Sequence, residues 1–169
     1  MAGNPFTSSE YSLGDDRAGR QIRLTPVSRA TAHELGKSFA AIDPWSSYEI
    51  PADTLSAFLA KERDGRHRFL ISAGDETAGI VVVTVPWLFG PYLHFLGFLP
   101  AFQGNGIGTE VMTWFEAEAQ GHFRNLWICV SDFNKGAVRF YERFGYLRAA
   151  RLDGLVVDGR NEILLRKRI

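Results

Sequence analysis

Four stretches of the chain carry apolar residues at the helical period. We predict helices that begin after Ser28, near Asp53, at Ile107 and at Asn134. Ser28 and Asp53 have short polar side chains that accept hydrogen bonds from the first N–H groups of a helix. Gly121 and Gly145 follow the last two helices, where glycine adopts the left-handed conformation that ends many helices.

Strand patterns fill most of the chain between these helices. Apolar and β-branched runs flank the turn at residues 74–77, which indicates a hairpin. The predicted strands are residues 20–24, 68–73, 78–85, 92–98, 125–130, 146–152 and 161–166. This order of elements predicts one mixed α/β domain over residues 20–169. Residues 1–19 are rich in Ser, Gly and Asp and poor in apolar residues, and we expect them to form a flexible arm.

Composition narrows the class of protein and its partners. A chain of 169 residues can bury a sizeable core as one domain. Lys plus Arg and Asp plus Glu number 19 each, so we expect no nucleic-acid partner. No apolar run approaches the ~20 residues of a membrane-spanning helix, and we expect a cytoplasmic monomer or homodimer without membrane contact. Cys129 is the only cysteine, which excludes an intrachain disulfide, and we expect no bound metal.

A glycine-rich turn lies between a predicted strand and an amphipathic predicted helix. Its sequence is Gln103-Gly104-Asn105-Gly106-Ile107-Gly108. Glycine lets a backbone approach a ligand closely, and the first turn of a helix offers unpaired N–H groups and a positive dipole end. The pattern indicates a phosphate-binding site, with an ordinary tight turn as the alternative. The glycine spacing differs from that of dinucleotide-binding and P-loop turns.

Two segments resemble the GNAT superfamily of acetyltransferases. Leu96 to Gly108 is similar to its pattern of a strand, a proline and then Gln/Arg-x-x-Gly-x-Gly/Ala. Asn134 to Tyr146 resembles its signature Asn-x-x-Ala-x-x-Phe/Leu-Tyr-x-x-x-Gly-Phe. The resemblance implies a mixed, mostly antiparallel central sheet of about seven strands flanked by four helices. It also implies that the fourth and fifth strands splay apart beside a bulge at Gly97, which opens a slot for acetyl-CoA.

The resemblance further implies which residues hold acetyl-CoA. Backbone groups of Leu96, Gly97 and Phe98 pair with the pantetheine arm like an added strand. Amides of the turn hold the pyrophosphate, and they belong to Gln103, Gly104, Asn105, Gly106, Ile107, Gly108 and Thr109. Asn134 contacts the pantetheine arm, caps its own helix, or does both.

Tyr141 is the general acid that the resemblance implies. It would give a proton to the coenzyme A thiolate as the acetyl group leaves. A phenol can do this because it remains protonated at neutral pH. The alternative is that Tyr141 is only an aromatic residue on the buried face of its helix.

The sequence does not decide which group acts as the base that takes a proton from the amine. Ribosomal-protein N-terminal acetyltransferases of this superfamily have a glutamate five residues before the motif asparagine, and that position here is Cys129. His94 is our first candidate, since it stands two residues before Leu96, where the serotonin N-acetyltransferase branch carries a histidine. The alternatives are Glu49, Tyr48, Glu162 or a water molecule that relays the proton.

The predicted activity is direct transfer of an acetyl group from acetyl-CoA to a primary amine. We expect Trp45 and Tyr48 to form walls of the acceptor pocket. A small-molecule amine is favoured as the acceptor over a peptide N-terminus. The alternative is a non-catalytic module that senses acyl-CoA or mediates an interaction.

Overall fold

An eight-stranded sheet with helices on both faces makes up the computed structural model, which describes residues 4–169. The helices are α1 (Arg29–Ala40), α2 (Ala52–Ala60), α3 (Ile107–Ala119) and α4 (Lys135–Arg143). The strands are β1 (Tyr11–Asp15), β2 (Gln21–Pro26), β3 (Arg66–Ala73), β4 (Glu76–Trp87), β5 (Gly90–Phe98), β6 (Asn125–Ser131), β7 (Leu147–Asp153) and β8 (Asn161–Arg168). Their order across the sheet is β1-β2-β3-β4-β5-β6-β8-β7.

The mixed, mostly antiparallel sheet and the helices confirm the predicted fold class. Only the pair β5 and β6 is parallel. Ser28 caps α1 by accepting a hydrogen bond from the Thr31 N–H at 3.0 Å, as its sequence position predicts. Asp53 lies in the first turn of α2, behind Pro51, rather than at the cap position. Within residues 4–169, no helix has both the length and the apolar character to cross a membrane.

The additional strand, β1, lies in the segment expected to be a flexible arm. It forms an antiparallel edge beside β2. Phe6, which precedes it, is fully buried, and its ring lies 5.4 Å from that of Trp114. The Phe6 N–H and the Tyr11 hydroxyl both donate to Glu118, at 2.7 and 2.8 Å. The structure differs from the expectation because these partners lie on α3, so no local pattern in residues 1–19 reveals them.

Strand β4 separates two hydrophobic cores, because successive residues of a strand face opposite sides of the sheet. Val81 and Val83 belong to the core that includes residues of α3 and α4. Ile80 and Val82 belong to the core that includes residues of α1 and α2. Both faces of the sheet are therefore covered at its centre.

Strands β5 and β6 are neighbours only where they begin. Tyr92 pairs with Trp127 and Leu93 pairs with Ile128, and the pairing then stops. The two strands diverge towards their C-terminal ends, which leaves the facing edge of β5 without a partner strand from His94 onwards. This confirms the predicted splay of the two central strands.

The bulge that accompanies the splay lies at His94 rather than at Gly97. Leu93 and Phe95 are opposite consecutive residues of β4, which leaves His94 as the extra residue. Leu93 therefore packs in the core of α3 and Phe95 in the core of α1 and α2. Gly97 has a different reason to be glycine, because a Cβ there would lie 2.8 Å from the ring of Phe39.

We predict that Phe6→Ala lowers the free energy of unfolding by about 3–5 kcal/mol, because it removes a fully buried ring and leaves a cavity. Urea denaturation monitored by tryptophan fluorescence measures this change. Phe89→Ala is the matched control, since the Phe89 ring is 88% exposed and its loss should change stability by less than about 0.5 kcal/mol. Equally small effects of the two substitutions would contradict a structural role for the N-terminal segment.

Candidate active site

The gap between β5 and β6 opens into a cavity of about 450 Å³, a volume typical of small-ligand sites. Strand β5 contributes residues 92–96 to its wall, and β6 contributes residues 128–131. Helix α4 contributes Ala137 and Tyr141, and Asn134 lines the cavity at the cap of this helix. The sheet thus creates the cavity where its own hydrogen bonding stops.

The glycine-rich turn forms a cradle of free N–H groups at the start of α3. Gly104 and Gly106 have φ angles of 74° and 84°, a left-handed conformation that glycine adopts without steric cost. The N–H groups of residues 104–108 donate to no acceptor within the part of the chain that the structure describes. Gln103 holds the turn against the end of β5 by donating from Nε2 to the Phe98 carbonyl oxygen at 3.1 Å. Several unpaired donors at a helix N-terminus are suited to a phosphate group.

Arg17 lies beside this turn, although the sequence analysis did not select it. Its Nη1 donates to the Gly104 carbonyl oxygen at 2.9 Å, and its N–H donates to the Asn105 carbonyl oxygen at 2.9 Å. These bonds attach the β1–β2 connection to the cradle and add a guanidinium group next to it. Arg17 was missed because it belongs to the segment expected to be a flexible arm.

The predicted acid, Tyr141, lies in the cavity wall on α4. It is 9% exposed, and its hydroxyl has no hydrogen-bond partner among residues 4–169. Burial raises the pKa of the Tyr141 phenol, so the group is protonated at neutral pH. Asn134 caps α4 through its side-chain oxygen, which accepts from the Ala137 N–H at 3.1 Å. This cap fixes the first turn of α4 at the cavity.

A buried polar cluster faces the same cavity from the other side. The Tyr48 hydroxyl contacts both the Ser131 hydroxyl and the Glu162 carboxylate. Glu162 is only 5% exposed, and burial raises the pKa of its carboxyl group, while the bonds from Tyr48 and Ser131 act in the opposite direction. Cys129 Sγ lies 4.0 Å from the Glu162 Oε2 atom. Burial raises the pKa of the Cys129 thiol to about 12, so Cys129 is a neutral group here.

His94 lies in the cavity wall but in surroundings that do not suit a base. Its Nδ1 atom lies 3.3 Å from Arg66 Nη1 and 3.0 Å from Thr84 Oγ1. Burial, together with the positive charge of Arg66, lowers the pKa of His94 to about 4. The ring is therefore neutral at pH 7 and binds an additional proton only weakly, which argues against the role that we predicted for it.

Aromatic side chains form the remaining wall of the cavity. Trp45 stacks on Phe95 with ring centroids 4.5 Å apart. Tyr48, whose hydroxyl belongs to the polar cluster, also lines the cavity. Phe58, which the sequence analysis did not identify, and the 155–156 segment between β7 and β8 also line the cavity. Glu49, one of the alternative bases, is exposed and lies outside this lining. In the described part of the chain, no group of three or more His, Cys, Asp and Glu side chains is placed to hold a metal ion.

The sequence matches the profile of the Acetyltransferase (GNAT) family over residues 31–146. That range includes the cradle of free N–H groups, the splayed strands and α4. Among curated proteins, none matches the chain significantly in sequence.

Solved structures share the fold at low sequence identity. An acetyltransferase from Thermus thermophilus superposes with a TM-score of 0.69 at 21% identity, over 88% of this chain and 97% of that one. Mycobacterium smegmatis RimJ in complex with CoA-disulfide gives 0.72 at 15% identity, over 98% and 90% of the two chains. The ribosomal-protein-S18-alanine N-acetyltransferase from Escherichia coli gives 0.67 at 16% identity, over 88% and 94%.

We predict that Glu162→Gln raises the melting temperature at pH 7–8, because it removes the free-energy cost of burying the Glu162 carboxylate. Each kcal/mol of that cost corresponds to about 2–4 °C for a chain of this size. The folded pKa of Glu162 is raised above its ordinary value near 4.5, so the folded state binds the proton more tightly than the unfolded state does. The parent protein therefore loses stability as pH rises from about 4.5 through the raised pKa, whereas an uncharged amide does not.

Melting curves between about pH 4 and pH 8 test this prediction. The difference between the variant and the parent should vanish at the acidic end, where Glu162 is protonated. Glu49→Gln is the matched control, because Glu49 is exposed and its replacement should show no such trend. A Glu162→Gln protein that melts lower than the parent at neutral pH would show that the hydrogen bonds of the carboxylate outweigh its desolvation.

Proposed function

Because this chain belongs to the GNAT family of acetyltransferases, we propose that it transfers the acetyl group of acetyl-CoA to a primary amine. One observation carries the proposal. The unpaired edge of β5 and Tyr141, whose hydroxyl makes no hydrogen bond among the described residues, border the gap between β5 and β6, and a cradle of free N–H groups follows β5 in the chain. A plain structural turn would not need this combination.

We assign the pyrophosphate of acetyl-CoA to the free amides of residues 104–108 and to the Arg17 guanidinium beside them. The Gln103 and Thr109 amides, which the family resemblance also implied, donate instead to the Pro100 and Gly106 carbonyl oxygens. The pantetheine arm would pair with backbone groups of residues 96–98, whose edge has no partner strand. Asn134 would approach the same arm with its free amide nitrogen, since its oxygen is engaged in the helix cap. The M. smegmatis neighbour in complex with CoA-disulfide supports a coenzyme A site on this fold.

We propose Glu162 as the base in place of His94. Relatives that use a glutamate carry it on the strand position that is Cys129 here, and Glu162 brings a carboxylate to within 4.0 Å of that sulfur from the neighbouring strand β8. Burial moves the pKa of Glu162 towards the neutral range, in which a general base works best. The Tyr48 and Ser131 hydroxyls hold the carboxylate in place.

In the proposed reaction the nitrogen loses two protons and the sulfur gains one. Glu162 takes a proton from the ammonium group, and the nitrogen lone pair then attacks the carbonyl carbon of acetyl-CoA. A carbon–nitrogen bond forms, and the carbon–sulfur bond breaks with its electron pair passing to sulfur. Tyr141 gives its hydroxyl proton to that sulfur and later regains a proton from solvent. The nitrogen, which is positively charged after the attack, loses its second proton to solvent, and Glu162 also releases its proton to solvent. The products are an acetamide, coenzyme A thiol and one proton.

A small-molecule amine is the acceptor that we favour. Trp45, Phe58 and Phe95 line the part of the cavity that we assign to the acceptor, and they give it a largely apolar surface that suits a small amine. A peptide N-terminus is the second candidate, since the E. coli neighbour is an N-acetyltransferase of a ribosomal-protein alanine. The cluster of Glu162 with Tyr48 disfavours a non-catalytic acyl-CoA sensor, which would have no use for a buried carboxylate.

Replacement of Tyr141 by Phe distinguishes an enzyme from a sensor. We predict that Tyr141→Phe lowers kcat by about 10²- to 10⁴-fold, the usual contribution of a positioned general acid. Release of free thiol from acetyl-CoA with a panel of primary amines measures this change. Acetyl-CoA should raise the melting temperature of both proteins equally, and more than NADH or ATP does, because a ligand of the folded state stabilises it. Turnover within a few-fold of the parent would remove Tyr141 from the acid role.

Glu162→Gln tests the proposed base. We predict a loss of kcat/KM of about 10²- to 10⁴-fold at neutral pH. In the parent, protonation of the Glu162 carboxyl should lower kcat/KM at acidic pH, and the activity that remains in the variant should lack this fall. The pH profile of kcat/KM for one accepted amine measures both effects. Glu49→Gln should keep the activity and the profile of the parent. An unchanged acidic limb in Glu162→Gln would assign the proton transfer to another group.

A further inference from the structure

We propose that His94 is not a base but a hydrogen-bond donor that selects acceptor amines carrying a carbonyl oxygen, as a carboxylate or an amide. This inference rests on the proposed acetyl transfer and names the acceptor class of the same cavity. It depends on four features: the tautomer of His94, the positive charge behind its ring, its position in the β-bulge, and the buried Glu162 carboxylate elsewhere in the cavity lining.

The neighbours of His94 determine where its proton resides. Arg66 lies 3.3 Å from Nδ1, and a guanidinium group can only donate hydrogen bonds. Nδ1 must therefore accept, and the Thr84 hydroxyl at 3.0 Å can donate to the same lone pair. The proton of the neutral ring is consequently on Nε2. A nitrogen that already carries a proton cannot take one from an amine, but it can donate a hydrogen bond.

A buried cation without an acidic partner lies behind the ring. Arg66 is 8% exposed, and its Nη2 donates to the Phe58 carbonyl oxygen at 2.8 Å while its guanidinium lies over the Phe58 ring. Its Nε has no hydrogen-bond partner among residues 4–169. The charged groups nearest to it are Arg63, which adds positive charge, and Arg68, which is paired with Glu62 at 2.7 Å. An uncompensated positive charge here favours a negative or strongly polar oxygen in front of His94.

The β-bulge directs this group at the cavity. His94 is the extra residue of β5, and bulges near binding sites re-aim a side chain. Its ring lies between those of Phe58 and Tyr92, with both centroid distances at 4.9 Å, and all three residues line the cavity. Nε2, the ring nitrogen that remains, makes no hydrogen bond within the described residues.

Another part of the cavity lining has the opposite polarity. The Tyr92 hydroxyl lies beside Cys129 and near Glu162, and the Tyr92 ring adjoins that of His94. An acceptor whose ammonium group faces Glu162 can place a carbonyl oxygen at the His94 Nε2–H. Trp45 and Phe95 flank the space between with apolar surface. The acceptor class that fits is an apolar amino acid or its amide, rather than a simple alkyl or arylalkyl amine.

Three amines with the same apolar group test the proposal: phenylalanine, phenylalaninamide and phenethylamine. The parent protein should acetylate at least one of the two carbonyl compounds about 10- to 100-fold more efficiently than phenethylamine, the usual contribution of a hydrogen bond to a charged or strongly polar partner. His94→Phe should reduce this ratio of kcat/KM to near one, mainly through KM. His94→Gln places an amide N–H near the position of Nε2–H and should restore part of the preference. His122→Gln, at an exposed histidine, should leave the ratio as it is.

Two results would overturn the proposal. One is a parent protein without preference for the carbonyl compounds, and the other is a His94→Phe protein whose kcat falls equally for all three amines, as loss of a base requires. If no amine is acetylated, the proposed function fails, and calorimetric binding of the same three compounds still tests the inference through the same ratio of Kd values. Melting curves of both His94 variants verify that they are folded.

Discussion

The end of hydrogen bonding between β5 and β6 is the constraint on which the rest of the structure depends. A parallel pair that continued along both strands would fill the centre of the sheet and leave no room for a ligand. Pairing stops after Leu93 and Ile128, and the exposed backbone edge and the cavity follow from that point. The core that includes α3 and α4 makes the break tolerable, because it contains residues of β4 and β5 and of β6 and β8, and so holds the two halves of the sheet together by apolar contact.

Two ionisable groups, one in the cavity lining and one behind the His94 ring, are costly to bury. Glu162 and Arg66 are both nearly buried, and neither forms an ion pair with an oppositely charged side chain among the described residues. Burial favours the neutral form of each group. It raises the pKa of Glu162 and lowers the pKa of Arg66 to about 10. Such groups lower the stability of a fold, and proteins keep them where a binding or chemical step uses the charge. Glu162 lines the cavity itself, whereas Arg66 lies behind it and contacts the lining residue His94.

His94 illustrates that a residue's position in the sequence and its surroundings in the folded protein can suggest different roles. From its position before Leu96, His94 resembles a proton acceptor, since imidazole titrates near neutral pH. Arg66 and Thr84 come from β3 and β4 and occupy the nitrogen that would accept the proton. A carboxylate nevertheless lies near Cys129, because Glu162 of β8 is 4.0 Å from its sulfur and β8 pairs with β6 only in the folded sheet. Residue type indicated the chemistry of which each side chain is capable, and neighbours from other strands set the surroundings in which it acts.

The sequence by itself determined the features that depend on residues close together in the chain. The glycine-rich turn, the caps at Ser28 and Asn134 and the order of the elements after residue 20 are of this kind, because hydrogen bonds between near neighbours form them. Only the tertiary structure decided that residues 11–15 form an edge strand, that the bulge lies at His94, and that Glu162 reaches Cys129. Each of these depends on partners from distant segments, and hydrophobic periodicity reports which face of an element is buried but not which side chains meet there.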